Sequence, residues 1–343
     1  MATFVRTQTI EHTIGQSGRL DLRVTAGDVT VRGTDGDEVR ITANFEIRAS
    51  SDEDADRIYA GAQLRVAKRD GALVVEDPGD EPSLSGLVGR IFSGNGHVEL
   101  EVRVEMPERA ELRLEGVSGD LSVDGLQGEQ RYNTVSGDVS LTRAGGSVRA
   151  NSVSGDLTLR AVSPISARAE SVSGDVSLVG PSIDALRVNT VSGDMEIEGQ
   201  LATGGEHRLE SVSGDAVIGL VGGATFEVRG IASDVSSDLD HRIEGRQDRR
   251  RVTVGSGGPT VLFNSMSGDL SINRPRRLDR VVPQPPAAPA PPAAPHPASP
   301  ASPAAPAVPP SPADQLAILQ ALERGEIDVE EASRRLSGAA GHE

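Results

Sequence analysis

Aspartates recur along this chain at a nearly fixed interval, each as the last residue of a Ser-Gly-Asp tripeptide. Six copies follow one another at spacings of 18, 18, 19, 19 and 21 residues, and a seventh lies further on. The glycines and aspartates are Gly119 and Asp120, Gly137 and Asp138, Gly155 and Asp156, Gly174 and Asp175, Gly193 and Asp194, Gly214 and Asp215, and Gly268 and Asp269. If the copies stack, the carboxylates form a column, and closely spaced carboxylates repel one another or recruit a cation such as Ca²⁺.

A structural role explains the same tripeptide without a metal. Glycine permits a positive φ, and an aspartate side chain accepts hydrogen bonds from nearby backbone amides, which together favour a tight turn. Calcium-binding β-rolls carry a Gly-rich Asp motif in both halves of each coil, whereas this chain has the motif in one half. We therefore interpret these residues as structural turns and predict no cofactor, with Ca²⁺ as the alternative.

Arginines recur with the same period, six residues before each turn glycine. They are Arg113, Arg131, Arg149, Arg168, Arg187 and Arg208. They alternate with apolar positions, so we expect them to face solvent. One explanation is a solvated face on which glutamates such as Glu115 and Glu170 offset the arginines. The other is an anion-binding stripe for an envelope polymer or lipid headgroups, because guanidinium groups bind phosphate through two hydrogen bonds. A rival anion patch is formed by Arg249–Arg251 with Arg242 and Arg246.

Motifs for catalysis are missing from the sequence. The six histidines have no metal-ligand spacing, and there is neither a Gly-rich phosphate loop before a helix nor a nucleophile elbow. Every aspartate of the column is equivalent, which suits a scaffold better than a single active centre. We predict that the protein is not an enzyme, and a polysaccharide-cleaving β-helix is the distant alternative.

The period itself predicts the architecture. Self-similarity at about 18–20 residues is typical of a stacked repeat with one supersecondary unit per copy. Apolar residues stand two and four positions after each turn glycine, and others stand five and seven before it. A third apolar column lies two positions before the glycine, at Val117, Val135, Val153, Val172, Val191, Val212 and Met266. We expect all of these residues to be buried, as in strands with one buried face.

The apolar stripes before the glycine are out of phase with one another. If both are buried, the chain must bend between them, at pairs such as Asn133-Thr134 and Asn151-Ser152, and again at Ser-Gly-Asp. The sequence therefore predicts an all-β fold, a β-solenoid or β-roll whose coils stack about 4.8 Å apart.

The predicted solenoid domain covers residues 1–275. A weaker copy lies at Gly27-Asp28, another lies at Ser233-Asp234, and residues 240–258 form an excursion loop or hairpin. An irregular insertion occupies about 47–110, with a helix over 52–63 and a hairpin over 64–76. The apolar residues of 77–96 are expected to cover one end of the solenoid.

The C-terminal part has a different composition. Residues 276–313 are rich in proline and alanine and predict a disordered linker. Residues 314–338 then predict a small helical hairpin that docks onto a protein partner or self-associates. Its apolar docking residues are Leu316, Leu319, Leu322, Ile327, Val329 and Leu336.

Composition narrows the range of functions. The formal net charge of −17 argues against nucleic-acid binding. There is no cysteine, so disulfides and thiolate metal sites are excluded. No segment has the length and hydrophobicity of a signal peptide or a transmembrane helix. We therefore expect a cytoplasmic protein that associates with a membrane only through a partner.

Repeated units such as Val135-Ser136-Gly137-Asp138-Val139, together with Val102–Pro107 and Gly27-Asp28-Val29, resemble a known bacterial family. This is the β-strand-repeat family of unknown function called "putative adhesins", and the resemblance covers roughly residues 5–275. Residues 318–332 are similar to short C-terminal helical hairpins of bacterial proteins, some of which accompany the same repeat domain in Gram-positive envelope-stress proteins. The resemblance implies a β-solenoid near the cell envelope and no enzyme activity.

Two hypotheses of function follow. The first is a non-enzymatic scaffold or binding module, in envelope stress or surface sensing, whose C-terminal hairpin docks a partner. The second is an exported adhesin or a protein that binds an anionic polymer.

Overall fold

The computed structural model describes residues 2–78, 97–232, 234–246 and 249–276. The chain divides into two compact units, Met1–Pro283 and Gln284–Glu343. The second unit, the apolar segment after residue 78 that was expected to cover one end of the solenoid, and nearly all of the linker lie outside the described residues. The hairpin with its six docking residues therefore stays a prediction.

The described residues form strands and one helix, in three groups along the chain. The N-terminal group comprises β1 (Ala2–Thr13), β2 (Arg19–Ala26), β3 (Asp28–Thr34), β4 (Glu38–Ala49), α1 (Asp52–Ala62), β5 (Arg65–Arg69), β6 (Ala72–Glu76) and β7 (His97–Pro107). The central group comprises β8 (Glu111–Ser118), β9 (Leu121–Asp124), β10 (Glu129–Ser136), β11 (Val139–Ser154), β12 (Leu157–Ser173), β13 (Val176–Ser192), β14 (Met195–Leu201), β15 (His207–Ser213) and β16 (Ala216–Leu220). The C-terminal group comprises β17 (Ala224–Ala232), β18 (Val235–Ser237), β19 (His241–Arg246), β20 (Arg249–Val254), β21 (Thr260–Ser267) and β22 (Leu270–Asn273).

Each coil contributes one strand to each of two parallel ladders, and in seven of the coils a Ser-Gly-Asp turn stands between these two strands. The strands before the turn form the first parallel ladder, in the order β6, β2, β8, β10, β11, β12, β13, β15, β21 and β17. The strands after it form the second, in the order β7, β3, β9, β11, β12, β13, β14, β16, β22 and β18. Strands β11, β12 and β13 belong to both ladders because they continue through the corner that joins them. This arrangement confirms the predicted β-solenoid.

The second corner of each coil does not lie where the sequence predicted it. Strands β10, β15 and β21 run unbroken through the Asn/Glu–Thr/Ser pairs. The corner lies instead after the second-ladder strand, where the register shifts between Leu141 and Gly146 in β11 and between Arg160 and Ile165 in β12. The number of residues per coil also varies at this second corner.

The corner was misplaced because one apolar column was assigned to the wrong face. In β13, Leu186, Val188 and Thr190 all point inward, since alternate residues of a straight strand share a face. Thr190 is 5% exposed, whereas Val191 is 47% exposed. A small hydroxyl residue thus occupies the inward position next to the turn. The expectation that the valine column is buried was wrong.

The ends of the array depart from sequence order. The coil of β2 and β3 lies between that of β6 and β7 and that of β8 and β9. At the other end, the coil of β21 and β22 lies between that of β15 and β16 and that of β17 and β18. The segment predicted as an irregular insertion therefore supplies the strands of an outermost coil, β6 and β7.

Helix α1 lies beside the outer strands of the N-terminal end. Its N-cap Ser51 accepts a hydrogen bond from the amide of Asp54, and the ring of Tyr59 packs edge-on against Phe45 with centroids 5.4 Å apart. Arg6 of β1 binds Asp52 and Asp56 on the helix. The helix and the β5–β6 hairpin confirm the elements predicted over 52–76, and β19 and β20 form a hairpin within 240–258.

Polar residues at three core positions are accommodated by backbone carbonyls. Gln130 donates to the carbonyls of Leu126 and Gly145 and accepts a hydrogen bond from the hydroxyl of Tyr132 at 2.9 Å. Burial raises the pKa of the Tyr132 phenol. His207 Nε2 lies 2.9 Å from the carbonyl oxygen of Ala202. These side chains interrupt the apolar pattern without leaving the core.

Candidate ligand-binding surface

The turn aspartates form a continuous hydrogen-bonded column, here called the aspartate ladder. In each step, the backbone amide of one aspartate donates to Oδ1 of the aspartate on the neighbouring coil at 2.8–3.0 Å. The ladder contains Asp28, Asp120, Asp138, Asp156, Asp175, Asp194, Asp215, Asp269 and Asp234. One oxygen of each interior carboxylate is therefore used by the backbone of the next coil.

Glycine is required at the turn for two separate reasons. Gly155 has φ of +119°, a conformation that other residues rarely adopt. A Cβ atom at this position would also collide with the carbonyl oxygen of Gly137 on the preceding coil. Close stacking at the turn thus depends on the absence of a side chain, and this explains why the motif recurs.

Within the part of the chain that the structure describes, no three or more His, Cys, Asp or Glu side chains group so that they could hold a metal ion. The ladder carboxylates already accept hydrogen bonds from backbone amides, which is the structural role that the sequence analysis favoured. The absence of a cofactor, with Ca²⁺ as the alternative, stays a prediction.

The arginines predicted as an anion-binding stripe lie side by side on the outer face of the first ladder. Strand pairing places Arg113, Arg131, Arg149, Arg168, Arg187 and Arg208 directly opposite one another on successive coils. We call this row the arginine column. Neighbouring strands lie about 4.8 Å apart, so six arginines extend over about 24 Å.

Most of the arginine column is paired with acidic residues. Arg113 binds Glu111 at 2.9 Å, and Arg131 binds Glu129 at 2.5 Å. The remaining pairs are Arg168 with Glu170 at 2.5 Å, Arg187 with Glu206 at 3.4 Å, and Arg208 with Glu210 at 2.5 Å. The pKa of Glu210 is lowered, chiefly by the hydrogen bond from Arg208 and also by one from Asn264. This pattern agrees with the solvated-face explanation over part of the column.

The centre of the column differs from its ends. Arg149 is exposed, and among the described residues no acidic side chain pairs with it. Its neighbours on the same strand are Ser147 and Asn151, and the glutamates of the adjacent coils, Glu129 and Glu170, bind Arg131 and Arg168 instead. A groove of about 220 Å³ runs beside the column there. Small side chains at Ser147, Ser166 and Ala185 line this groove, with Arg131, Arg149, Arg168 and Arg187 along it and Glu129 and Glu206 at its ends.

A second surface was missed because its residues were expected to be buried. The side chains two positions before the turn glycines, from Val135 onward, project outward from successive coils and are 45–58% exposed. We call this row the valine ridge: Val135, Val153, Val172, Val191, Val212 and Met266. Strict counting of strand alternation from the buried residues before it would have placed the ridge outside.

The rival arginine cluster lies on the β19–β20 hairpin, which pairs with β17 at the end of the first ladder. Arg249 stands opposite Arg229 of β17 on one side and opposite Arg246 on the other. Arg251 binds Glu227 at 2.8 Å, and Arg242 lies 3.8 Å from Glu244. The cluster is therefore partly neutralised, and it does not continue the groove beside Arg149.

A family model named Toastrack DUF4097, a domain of unknown function, matches residues 17–273. The chain belongs to this family. The match covers the whole array, from β2 to β22, and agrees with the resemblance to bacterial β-strand-repeat proteins. Residues outside the match include β1 and the region after residue 276. In the described part of the Toastrack domain, no helix is long and apolar enough to cross a membrane.

Several solved structures are similar to the chain at low sequence identity. A "putative adhesin" from Bacteroides fragilis is 16% identical, with 79% of this chain and 97% of that chain covered and a TM-score of 0.37. A "putative cell adhesion protein" from Clostridium sporogenes is 13% identical, with 79% and 100% covered and a TM-score of 0.23. A "putative lipid binding protein" from Parabacteroides distasonis is 12% identical, with 79% and 97% covered and a TM-score of 0.28.

No curated protein matches the chain.

Proposed function

We propose that this Toastrack domain is a non-enzymatic binding module that holds a repeating anionic polymer against the arginine column. The observation that supports the proposal is the centre of the column, where Arg149 has no acidic partner within the described ranges and the adjacent groove is lined by small side chains. A polymer chain has room to lie there, and its charged groups meet one guanidinium per coil.

The chemistry of the groove favours phosphate or carboxylate groups. A guanidinium presents parallel N–H donors that match two oxygens of one anionic group. Four arginines from Arg131 to Arg187 extend over about 14 Å, so several groups of one polymer are engaged together. Glu129 and Glu206 close the groove at its two ends and discourage anions from continuing along the outer coils.

Repetition also distinguishes binding from catalysis. A reaction needs one set of groups that differs from its surroundings, whereas each coil along this groove presents an arginine in the same register. Equivalent sites on successive coils suit a ligand that itself repeats. We therefore keep an adhesive or polymer-binding role ahead of an enzymatic one.

The test is binding of the full chain to anionic polymers and membranes. The probes are long-chain inorganic polyphosphate, poly-L-glutamate, and vesicles of phosphatidylglycerol with phosphatidylcholine-only vesicles for comparison. The test variant replaces Arg131, Arg149 and Arg168 with serine. The control variant replaces Arg40, Arg48 and Arg103 with serine, which changes the net charge equally on strands β4 and β7.

We expect the test variant to bind at least about tenfold more weakly than the wild type, since hydrogen bonds to charged groups contribute about 1.5–3 kcal/mol each. The control variant should retain wild-type affinity. Equal losses in both variants would mean that only net charge matters, and the proposal would then be wrong. Binding to vesicles but to neither soluble polymer would identify lipid headgroups as the source of the anionic groups.

A further inference from the structure

The valine ridge is a continuous apolar surface on a strongly acidic protein. Its six members lie on successive coils of the first ladder. On each coil the ridge residue stands between two serine or threonine residues that pair with their counterparts on the neighbouring coil. At about 4.8 Å per coil the ridge is about 24 Å long. Scattered exposed apolar residues are ordinary, but a contiguous exposed row is characteristic of an interaction site.

The fold itself does not need valine at these positions. The side chains point away from the core, and the hydroxyl residues before them fill the inward positions, such as Ser152 and Thr190. Threonine is also β-branched and forms strands about as readily as valine. An exposed row that is apolar on six successive coils is therefore explained by a contact outside the chain.

The borders of the ridge indicate the charge of its partner. The aspartate ladder runs parallel to it, three residues further along each coil, and its side chains are exposed. On the other side runs a column that contains Glu170 and Glu210 among asparagines. Near Val212 and Met266 the ridge forms one wall of a groove of about 250 Å³ that also includes Glu210 and Asn264. Glu170 and Glu210 are paired with Arg168 and Arg208, so the acidic border of the ridge is the aspartate ladder. An apolar row with an acidic border on one side complements an apolar stripe with basic residues on one side.

The spacing of the ridge indicates the shape of the partner. One turn of an α-helix rises 5.4 Å, close to the spacing of the coils, so a helix laid along the ridge places about one apolar residue on each coil. Six coils correspond to a helix of about 16 residues. An extended strand repeats its side chains about every 6.8 Å on one face, and it falls out of step with the coils after a few residues.

A second copy of this chain fits the ridge less well. If two ridges met with antiparallel solenoid axes, the aspartate ladder of one copy would face that of the other. Each copy also carries a net charge of −17, so approach is opposed by repulsion. We propose that the valine ridge docks a basic amphipathic helix of a partner protein, at a surface separate from the arginine column.

The test uses the full chain and a labelled 18-residue peptide of leucine and lysine, arranged so that its helix is amphipathic. A peptide of the same composition in scrambled order is the control for charge. The variant V153T/V172T/V191T removes the apolar character of the ridge while retaining side-chain shape. The variant R131S/R149S/R168S separates this surface from the arginine column, and circular dichroism and the melting temperature establish that both variants fold.

Fluorescence anisotropy should show that the arginine variant binds the amphipathic peptide at least as tightly as the wild type does. The ridge variant should bind at least about tenfold more weakly, a difference of about 1.4 kcal/mol. The proposal is overturned if the amphipathic peptide does not bind, if the scrambled peptide binds equally well, or if the ridge variant retains affinity. It is also overturned if sedimentation equilibrium shows a dimer that the ridge variant abolishes, since a second copy then covers the ridge.

Discussion

The backbone amide of Asp156 donates to Oδ1 of Asp138 at 2.9 Å, although the two residues belong to different coils. The same carboxylate column would repel itself if it stood free, since its members follow one another at the spacing of the strands. Each hydrogen bond therefore joins neighbouring coils at the point where like charges push them apart. The hydrogen bonds stabilise the stacking of the coils and the carboxylate repulsion destabilises it. Substitutions in the ladder separate the two contributions to the free energy of unfolding.

Replacing Gly155 with alanine should destabilise the domain by more than about 1 kcal/mol. The positive φ disfavours any side chain, and the new Cβ would collide with the backbone of the preceding coil. Urea unfolding of the full chain measures the change. Gly204→Ala is the matched control, because nothing lies within 4 Å of a Cβ at Gly204 and its φ is not positive. Similar losses at the two positions would contradict this account.

Asp156→Ala should cost about 1 kcal/mol, because the amide of Asp175 loses its acceptor at 2.8 Å. Asp156→Asn keeps an acceptor oxygen and removes one charge from the column, so it should be neutral or slightly stabilising at low salt. Added NaCl screens the repulsion and should raise the melting temperature of the wild type more than that of Asp156→Asn. If alanine and asparagine have the same effect, the hydrogen bond contributes nothing measurable.

The same substitution should have very different effects on the free energy of unfolding at two valines four residues apart. Val172 is 48% exposed, and Val176 is 4% exposed. Val172→Thr should change the free energy of unfolding by less than about 0.5 kcal/mol, as is usual for surface substitutions. Val176→Thr should cost about 1–3 kcal/mol, because it buries a hydroxyl group in the apolar core. Equal costs would mean that the valine ridge is buried in solution, for example in an assembly.

Acidification should remove the stabilisation that Glu210 provides. Its pKa is lowered in the folded state, first by Arg208 and then by Asn264, so the unfolded chain binds this proton more tightly. The stabilisation is therefore present above the ordinary glutamate pKa of about 4.3 and is lost as the pH falls through the lower folded value.

Glu210→Gln should consequently reduce stability at pH 7 by up to about 1 kcal/mol, the usual magnitude for an exposed ion pair, and should have less effect at pH 3. Urea titrations of wild type and variant at the two pH values measure the difference. Glu46→Gln changes another exposed glutamate and controls for loss of charge. A cost for Glu210→Gln that is independent of pH would contradict the assignment.

Sequence periodicity was sufficient to predict the solenoid, because the same residue types are needed at the turn of each coil. Gly155 and Asp156 illustrate this, since both act through the backbone of a neighbouring coil and the same residues are needed on every coil. Helix α1 was also predictable, from a cap and a local pattern that need no distant contact.

The surface could be predicted only in part. The outward position of the arginine column followed from alternation with buried residues, and the structure places these arginines side by side. Two features required coordinates. Val191 was wrongly predicted to be buried because it is apolar. Residue type alone does not distinguish an apolar residue on an exposed face from one in the core. Whether Arg149 is paired depends on side-chain geometry across several coils, which spacing along one strand does not determine.

The strand order at the two ends affects how this array can evolve in length. The coil of β2 and β3 lies between that of β6 and β7 and that of β8 and β9, and the coil of β21 and β22 lies between that of β15 and β16 and that of β17 and β18, so each of these two coils is held on both sides. A duplication or loss of one coil at either terminus would break this interlocking. Between β8 and β16, by contrast, successive coils are neighbours in both sequence and space, so one unit of 18 to 21 residues can be inserted or removed there without disturbing either end. Because the central groove lies in this interchangeable stretch, the number of anionic groups it contacts can change by one whole coil at a time.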